Sequence, residues 1–177
     1  RIKLVGTIKA DKSGGVSLQV IPTLVSADDM LYAVAAEYNG VEVNAQFAGQ
    51  QFLKGRGAGS HPTGSAVWAD ISAAVRGYRY TYPKLCVSNA SAVLPDEPVL
   101  LLLHAPQSLT ALLAVLQPIA VYKTDIENQL IIQIEQRKLW EHQRLLKEHG
   151  VFVALIPESV DLGPVLIGFK ATKAVLV

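Results

Sequence analysis

The stretch of sequence that carries the most chemical information runs from Gly55 to Thr63 and reads GRGAGSHPT. Gly55, Gly57 and Gly59 alternate with other residues between a predicted strand and a predicted helix. Glycine tolerates positive φ and lets a ligand approach the backbone closely. The N-terminus of the following helix adds free N–H groups and the positive end of a dipole. The pattern indicates either a tight turn or a pocket for an anion or a polar ligand edge.

Two common phosphate-binding loops do not fit this spacing. A dinucleotide fingerprint needs its third glycine three residues after the second, and that position holds Ser60. A P-loop needs a Gly-Lys-Ser/Thr triplet, which does not follow. The sequence therefore leaves open a turn and a ligand loop of another type.

Other residues able to do chemistry lack a suitable arrangement. His142 and His149 are seven residues apart on one predicted helix, too far to share a metal unaided. No serine lies in a G-x-S-x-G motif, and Asp28-Asp29 and Asp96-Glu97 are typical of helix starts and loop surfaces. His61 reads as a surface loop histidine. We therefore predict no metal site and assign no catalytic residue.

Composition restricts the class of protein. Half of the 177 residues are hydrophobic and 18% are charged, which predicts one domain or two small ones with a packed core. A net charge of +1 gives no basic surplus for nucleic acid. The longest apolar run, Pro98–Leu103, is too short to span a bilayer, so no membrane partner is expected. A single cysteine, Cys86, suits a reducing compartment such as the cytoplasm.

The first half of the chain is predicted to be rich in strands. Pro22 is expected to close the second strand or lie on its edge, and Asn39-Gly40 reads as a turn. Ser26 is expected to cap a short helix that ends near Ala35. The predicted strands are Arg1–Ala10, Val16–Val20, Val41–Phe47 and Gln50–Lys54.

A longer helix is predicted from Pro62 to Arg76. Val67, Ile71 and Val75 recur every four residues and give it one apolar face, and Gly77 is the expected stop. The sequence also begins without a methionine and directly with a strand pattern, so we expect further sequence upstream of Arg1.

The second half is predicted to follow the order β-α-β-β-α-β, which is the ferredoxin-like arrangement. Its first helix is expected to be capped by Ser108, and the last helix to end at Gly150. One or two further strands are predicted around Leu166–Phe169 and Ala174–Val177. The predicted elements of the core order are the strands Val99–His104, Ile119–Asp125, Leu130–Ile134 and Val151–Ile156 and the helices 108–116 and Leu139–His149.

Residues 1–76 resemble the end of the catalytic domain of homoserine dehydrogenases. Gly55–Asp70, read as GRGAGSHPTGSAVWAD, is similar to the family signature GxGAG, two residues, then Pro-Thr and a helix of small residues ending in Ala-Asp. Val20–Val25 resembles the family's hPTLV strand and turn. Tyr38–Val41 resembles its Phe-Asn-Ala-Val segment, and Gly49 the glycine of its AVG turn.

This resemblance implies an NAD(P)-dependent oxidoreductase that interconverts homoserine and aspartate semialdehyde. By the family pattern, Gly59 lies against NAD or NADP, and Gly57 and Ala58 shape the same loop. Thr63 either donates to the cofactor or caps backbone groups. The family's catalytic lysine and its nucleotide-binding domain precede the segment matched here, so the chain alone is expected to be inactive. Lys3 is not assigned the role of the catalytic lysine, because it lies on a strand face that is predicted to be exposed to solvent.

The β-α-β-β-α-β segment resembles an ACT domain, which implies pairing between copies and threonine as the natural effector. The turn 104–108 lacks the glycine that usually admits the effector, which favours assembly over threonine sensing. The predicted fold is thus α+β: a mixed or antiparallel sheet with helices in residues 1–77, a linker 78–96, and a ferredoxin-like ACT-like domain in 97–177. A homodimer or higher homo-oligomer is expected. The alternative function is a non-catalytic amino-acid-sensing or oligomerisation module.

Overall fold

The computed structural model describes residues 1–10, 14–79, 91–95, 97–160 and 162. The chain forms two compact units. Unit 1 combines Arg1–Ser26 with Asn89–Val177, and unit 2 is Ala27–Ser88. The glycine-rich loop belongs to unit 2.

Unit 1 is built on one mixed sheet. Its strands pair in the order β1-β2-β9-β6-β8-β7, with the short β5 alongside β2. The pairs β1–β2, β6–β8, β6–β9 and β7–β8 are antiparallel, and β2 runs parallel to β5 and β9. The strands are β1 (Ile2–Ala10), β2 (Gly15–Leu24), β5 (Ser91–Ala92), β6 (Pro98–His104), β7 (Ala120–Lys123), β8 (Gln129–Glu135) and β9 (Phe152–Ile156).

Three short helices accompany this sheet: α2 (Thr110–Leu116), α3 (Gln136–Glu141) and α4 (Gln143–Glu148). The segment β6-α2-β7-β8-α3-α4-β9 has the strand order β9-β6-β8-β7, which confirms the predicted ferredoxin-like order. Its core joins the inward side chains of β6 and β8 to the leucines of the helices. The residues of this core include Leu101, Leu103, Ile132, Ile134, Leu112, Leu116, Leu139 and Leu146.

Unit 2 contains an antiparallel hairpin and one long helix. Strand β3 (Tyr38–Ala45) pairs with β4 (Gly49–Arg56), and α1 (Ser60–Val75) follows. A 3₁₀ helix, Met30–Ala33, precedes the hairpin. Gly77 ends α1 with φ of 74°, as predicted. Among residues 27–79 none is buried, so the predicted apolar face of α1 is exposed to solvent.

Four local predictions need correction. Asn39 and Gly40 lie inside β3 because they pair with Gly55 and Lys54. The 3₁₀ helix is capped by Asp29, whose carboxylate accepts from the Leu31 N–H at 2.7 Å, and not by Ser26.

The other two corrections concern unit 1. Strand β2 does not close at Pro22 but continues to Leu24, because Pro22 still pairs with Leu4 of β1. The predicted helix Leu139–His149 is divided at His142, whose Nδ1 lies 2.9 Å from the Lys138 carbonyl oxygen, the same oxygen that its backbone N–H approaches. The strands predicted around 166–169 and 174–177 lie outside the described residues.

The compact units group the chain differently from the predicted segments 1–77, 78–96 and 97–177. Residues 1–26 share a sheet with the β-α-β-β-α-β segment, since β2 pairs with β9 through Thr23 and Leu155. The segment boundaries themselves stay a prediction. Within the described parts of the chain, no helix is long and apolar enough to cross a membrane.

Candidate functional site

The hairpin of unit 2 positions the glycine-rich loop. The register places Asn39 opposite Gly55 and Tyr38 opposite Arg56 at the open end of the hairpin. One further backbone bond extends this pairing, because the N–H of Gly57 donates to the carbonyl of Glu37 at 2.8 Å. The loop between β4 and α1 is therefore held from the β3 side up to Gly57.

Charged and aromatic side chains reinforce the same end of the hairpin. The Nε of Arg56 donates to the Tyr38 hydroxyl at 3.1 Å and lies 3.6 Å from a carboxylate oxygen of Glu37. Both Arg56 and Lys54 lie over the Tyr38 ring, at 5.5 and 5.0 Å from its centroid. These contacts are largely exposed, so each contributes little to stability. They fix the strand end that leads into the loop.

Gly57 lies close to a neighbouring side chain. A Cβ at this position would overlap the side-chain amide of Asn39, so that amide would have to move aside. Asn39 is exposed, so this movement costs little and the contact alone does not require glycine. Asn39 is the loop neighbour that sequence reasoning missed. The hairpin register was the signal that could have found it, because it brings Asn39 to Gly55 across the strands.

Gly59 is a glycine because of its backbone. Its φ is 112° and its ψ 156°, a conformation that other residues rarely adopt. Space is not the reason, since a Cβ would meet only the Pro62 ring at an ordinary 3.5 Å. Gly59 is also the residue before α1, and its carbonyl accepts the first helical bond from the Thr63 N–H at 3.1 Å.

Gly55 and Gly64 have no packing reason to be glycines among the described residues. A Cβ at either position would meet nothing within 4 Å. Gly64 lies in the first turn and a half of α1, where alanine would be the better helix former. The two positions leave open surface on both sides of the loop.

The start of α1 leaves backbone donors unused. No side chain caps the helix in the described structure. Pro62 has no N–H and that of Thr63 is used by Gly59, so the remaining first-turn donors are those of Ser60 and His61. These donors and the dipole favour a negatively charged or carbonyl-bearing ligand edge.

The predicted site residues come together at this junction. Ala58 and Thr63 are exposed beside Gly57 and Gly59, and their contact with a cofactor stays a prediction. Side-chain capping by Thr63 is not observed, since the cap residue of α1 is Gly59 without a side-chain bond. His61 is exposed, with Nδ1 3.3 Å from the Ser60 hydroxyl. No group of three potential metal ligands occurs in the part of the chain that the structure describes.

Comparisons with known proteins place this site in a family context. Residues 1–72 match the family model described as homoserine dehydrogenase. The homoserine dehydrogenase of Neisseria gonorrhoeae is 46% identical over 72 residues, which are 40% of this chain and 16% of the relative. That of Pseudomonas aeruginosa is 40% identical over 76 residues, 43% of this chain and 17% of the relative.

Solved structures extend the similarity in fold beyond the matched sequence. A homoserine dehydrogenase from Thiobacillus denitrificans superposes with a TM-score of 0.56 and 21% identity, covering 89% of this chain and 42% of that one. The Staphylococcus aureus enzyme at pH 6.5 gives 0.52 and 22%, covering 90% and 42%. At these identities the similarity concerns the fold alone.

The two units define an α+β chain with a mixed sheet and a glycine-rich strand-to-helix loop. Residues 1–72 match the homoserine dehydrogenase family model, and the loop lies inside that match. The chain spans less than half the length of the solved relatives, and the matched stretch about one sixth of the curated ones.

Proposed function

We propose that this chain is part of a homoserine dehydrogenase, referred to below as the parent enzyme. The reaction is the NAD(P)-dependent interconversion of L-homoserine and L-aspartate 4-semialdehyde, in the biosynthesis of threonine, methionine and isoleucine. The observation that carries the proposal is the family match over residues 1–72, which includes the whole glycine-rich loop. The single cysteine supports a cytoplasmic location.

In this proposal the loop lies against the nicotinamide end of NAD or NADP. The cofactor, when bound, supplies or accepts the hydride. Gly59 allows the close backbone approach, Gly57 and Ala58 shape the loop, and Thr63 stands in the first turn behind it. The open surface at Gly55 and Gly64 and the uncapped helix start fit a ligand at this position.

The chain on its own is expected to lack activity. In the family, the catalytic lysine and the nucleotide-binding domain belong to sequence before the matched segment. The exposed side of α1 supports a missing neighbour, since Val67, Trp68, Ile71 and Val75 are 53%, 69%, 47% and 82% exposed. Contiguous apolar surface of this kind marks an interface. We propose that the nucleotide-binding part of the parent enzyme covers it.

The test is a pair of matched glycine substitutions in the parent enzyme. Gly59→Ala places a Cβ where the cofactor is proposed to approach. Gly49→Ala is the control for a side chain at positive φ, because Gly49 has φ of 69° and nothing within 4 Å but lies in the β3–β4 turn. Since Gly59, with φ of 112°, is the more strained position, the free energy of unfolding of both variants is measured beside the kinetics. We expect Gly59→Ala to raise KM for the cofactor, or lower kcat, by about tenfold or more, and Gly49→Ala to change either by less than about twofold. Equal effects of the two variants would remove the cofactor role of Gly59.

We also propose that the parent enzyme is a homodimer or higher homo-oligomer. Strand β1 is at the edge of its sheet, and one of its faces exposes Ile2, Leu4 and Ile8, next to Leu18 of β2. Symmetric pairing is the common way to cover such surface. Light scattering should give at least twice the protomer mass, and Leu4→Glu should lower it; a monomeric wild type at working concentration contradicts the proposal.

For the ferredoxin-like segment we propose an ACT-like role in assembly, with threonine binding as the alternative. The loop from Ala105 to Leu109 contains no glycine, which limits close approach of an effector. Calorimetric titration with threonine separates the two roles. No heat of binding is expected, and a saturable signal would instead favour the amino-acid-sensing module.

A further inference from the structure

Unit 1 contains a pocket where two of its strands separate. β2 and β9 run parallel and meet at a single residue pair, Thr23 and Leu155. The residues just before that pair, Val20–Pro22 on β2 and Val153 on β9, have no register partner across these two strands and line a space of about 260 Å³. The pocket is a consequence of strand pairing that stops after one register position.

The base of the pocket is apolar. Leu139 and Leu146, from α3 and α4, join the strand residues, and Val151 closes the end before β9. The volume is below the roughly 300–1,000 Å³ typical of pockets for drug-sized ligands, so it fits a smaller molecule. An aliphatic group is the chemistry that these walls favour.

The charged side chain that lines the pocket is a cation. Exposed Lys147 and Gln143 line it, and none of its lining residues is acidic. Lys147 offers a cation to a ligand, while nothing in the lining offers a carboxylate to a ligand's ammonium group. This arrangement complements an anion better than a zwitterion.

Trp140 provides an independent sign that the pocket lacks an acceptor. Its indole lines the pocket, and its Nε1–H is buried without a hydrogen-bond partner among the described residues. Buried donors of this kind are uncommon, because the lost hydrogen bond to water is not replaced. Because Trp140 lines the pocket, a ligand bound there changes the surroundings of its indole and therefore its emission.

We propose that this pocket binds a small monocarboxylate with a branched aliphatic body, its carboxylate at Lys147 and its alkyl group against the leucines and valines. The pocket belongs to unit 1, whereas the glycine-rich loop belongs to unit 2. It does not depend on the proposed dehydrogenase activity.

The experiment uses the 177-residue chain with Trp68→Phe, which leaves Trp140 as its single tryptophan. The probe is 4-methylpentanoate, titrated while Trp140 emission is recorded, with ligand-detected NMR as a second readout. We expect a saturable change with Kd on the order of 1 mM, given the few heavy atoms of the ligand. Leucine, which adds an ammonium group, and 4-methylpentan-1-ol, which lacks the charge, should each bind more weakly by about threefold or more.

A matched pair of lysine variants tests the geometry. Lys147→Gln should weaken binding of 4-methylpentanoate by about three- to tenfold. Lys123→Gln, on β7 at the opposite edge of the sheet, should leave it unchanged. Both lysines are exposed, so both variants should fold, as circular dichroism can verify. Absence of binding by both readouts, equal effects of the two variants, or an alcohol that binds as well as the acid would each overturn the proposal.

Discussion

The two units of this chain differ most in how they treat apolar side chains. Unit 1 encloses a core in which Leu101 and Ile132 have no exposed surface. Unit 2, over residues 27–79, encloses no residue at all, although its 16-residue helix α1 carries an apolar face. Both contain well-formed strands and helices, so regular backbone structure and burial are separate properties here.

This difference shows what a fold needs beyond its elements. In unit 1, helices lie on a sheet and cover its inward leucines, which is the layered arrangement of a stable domain. In unit 2, Trp68 is 69% exposed and Val75 82% exposed, and the hairpin also exposes Val41 and Leu53. Most helical stability in proteins comes from packing of such faces. Unit 2 therefore contains a regular hairpin and helix, but no second layer packs against their apolar side chains.

The largest expected effect is the loss of stability when core volume is removed from unit 1, and unit 2 has no buried core in which the same loss could occur. Leu101→Ala should lower the free energy of unfolding by about 2–5 kcal/mol, because it leaves a cavity in a packed core. Leu53→Ala, at a side chain that is 64% exposed, should change it by less than about 0.5 kcal/mol. Urea unfolding of the chain followed by far-UV circular dichroism, which reports on the backbone of both units, measures both. A similar loss for both variants would mean that Leu53 is buried in solution.

A smaller effect concerns the loop itself. Gly57→Ala should weaken the hydrogen bond from residue 57 N to Glu37 O by at most about 1 kcal/mol, because the exposed Asn39 amide must move aside for the new Cβ. Asn39→Ala together with Gly57→Ala should recover most of this loss, because the obstructing amide is gone. Hydrogen exchange of the residue 57 amide gives the comparison. If the double variant exchanges as fast as Gly57→Ala alone, the steric account of Gly57 is wrong.

The smallest predicted effect has the opposite sign. Gly64→Ala should stabilise α1 by about 0.5–1 kcal/mol in this chain, since alanine is the better helix former and its Cβ meets nothing within 4 Å. Slower amide exchange within α1 is the measurement. Faster exchange would show that Gly64 already packs against something in the isolated chain.

The sequence alone predicted the features that depend on local apolar patterns and missed those that depend on contacts between elements. Strands such as β1 and β6 follow directly from alternating or continuous apolar residues, and the β-α-β-β-α-β order of residues 97–157 was predicted correctly apart from the division of its last helix. The turn assigned to Asn39-Gly40 was wrong because pairing with β4 overrides local turn chemistry. The break at His142 coincides with a side chain that lies within hydrogen-bond distance of a carbonyl one turn earlier, which no hydrophobic pattern reports.

The position of the glycine-rich loop was predicted, the reasons for its glycines only in part, and its role as a cofactor site stays a prediction. The motif located the loop and the helix start, and the positive φ of Gly59 agrees with the glycine found there. The packing of Asn39 against Gly57 depends on a contact across the hairpin, which only the register gives. What covers α1 could not be predicted at all, because an apolar face shows that a partner is needed and not which one.

The most direct test of the central claim compares hydrogen exchange of α1 in two settings. The claim is that unit 2 belongs to a homoserine dehydrogenase whose remaining parts cover α1. We predict weak protection of the residue 64–75 amides in the 177-residue chain and at least about a hundredfold slower exchange in the product of the complete gene. Equal protection in both, with no homoserine-dependent NAD(P)⁺ reduction by the complete product, would contradict the account.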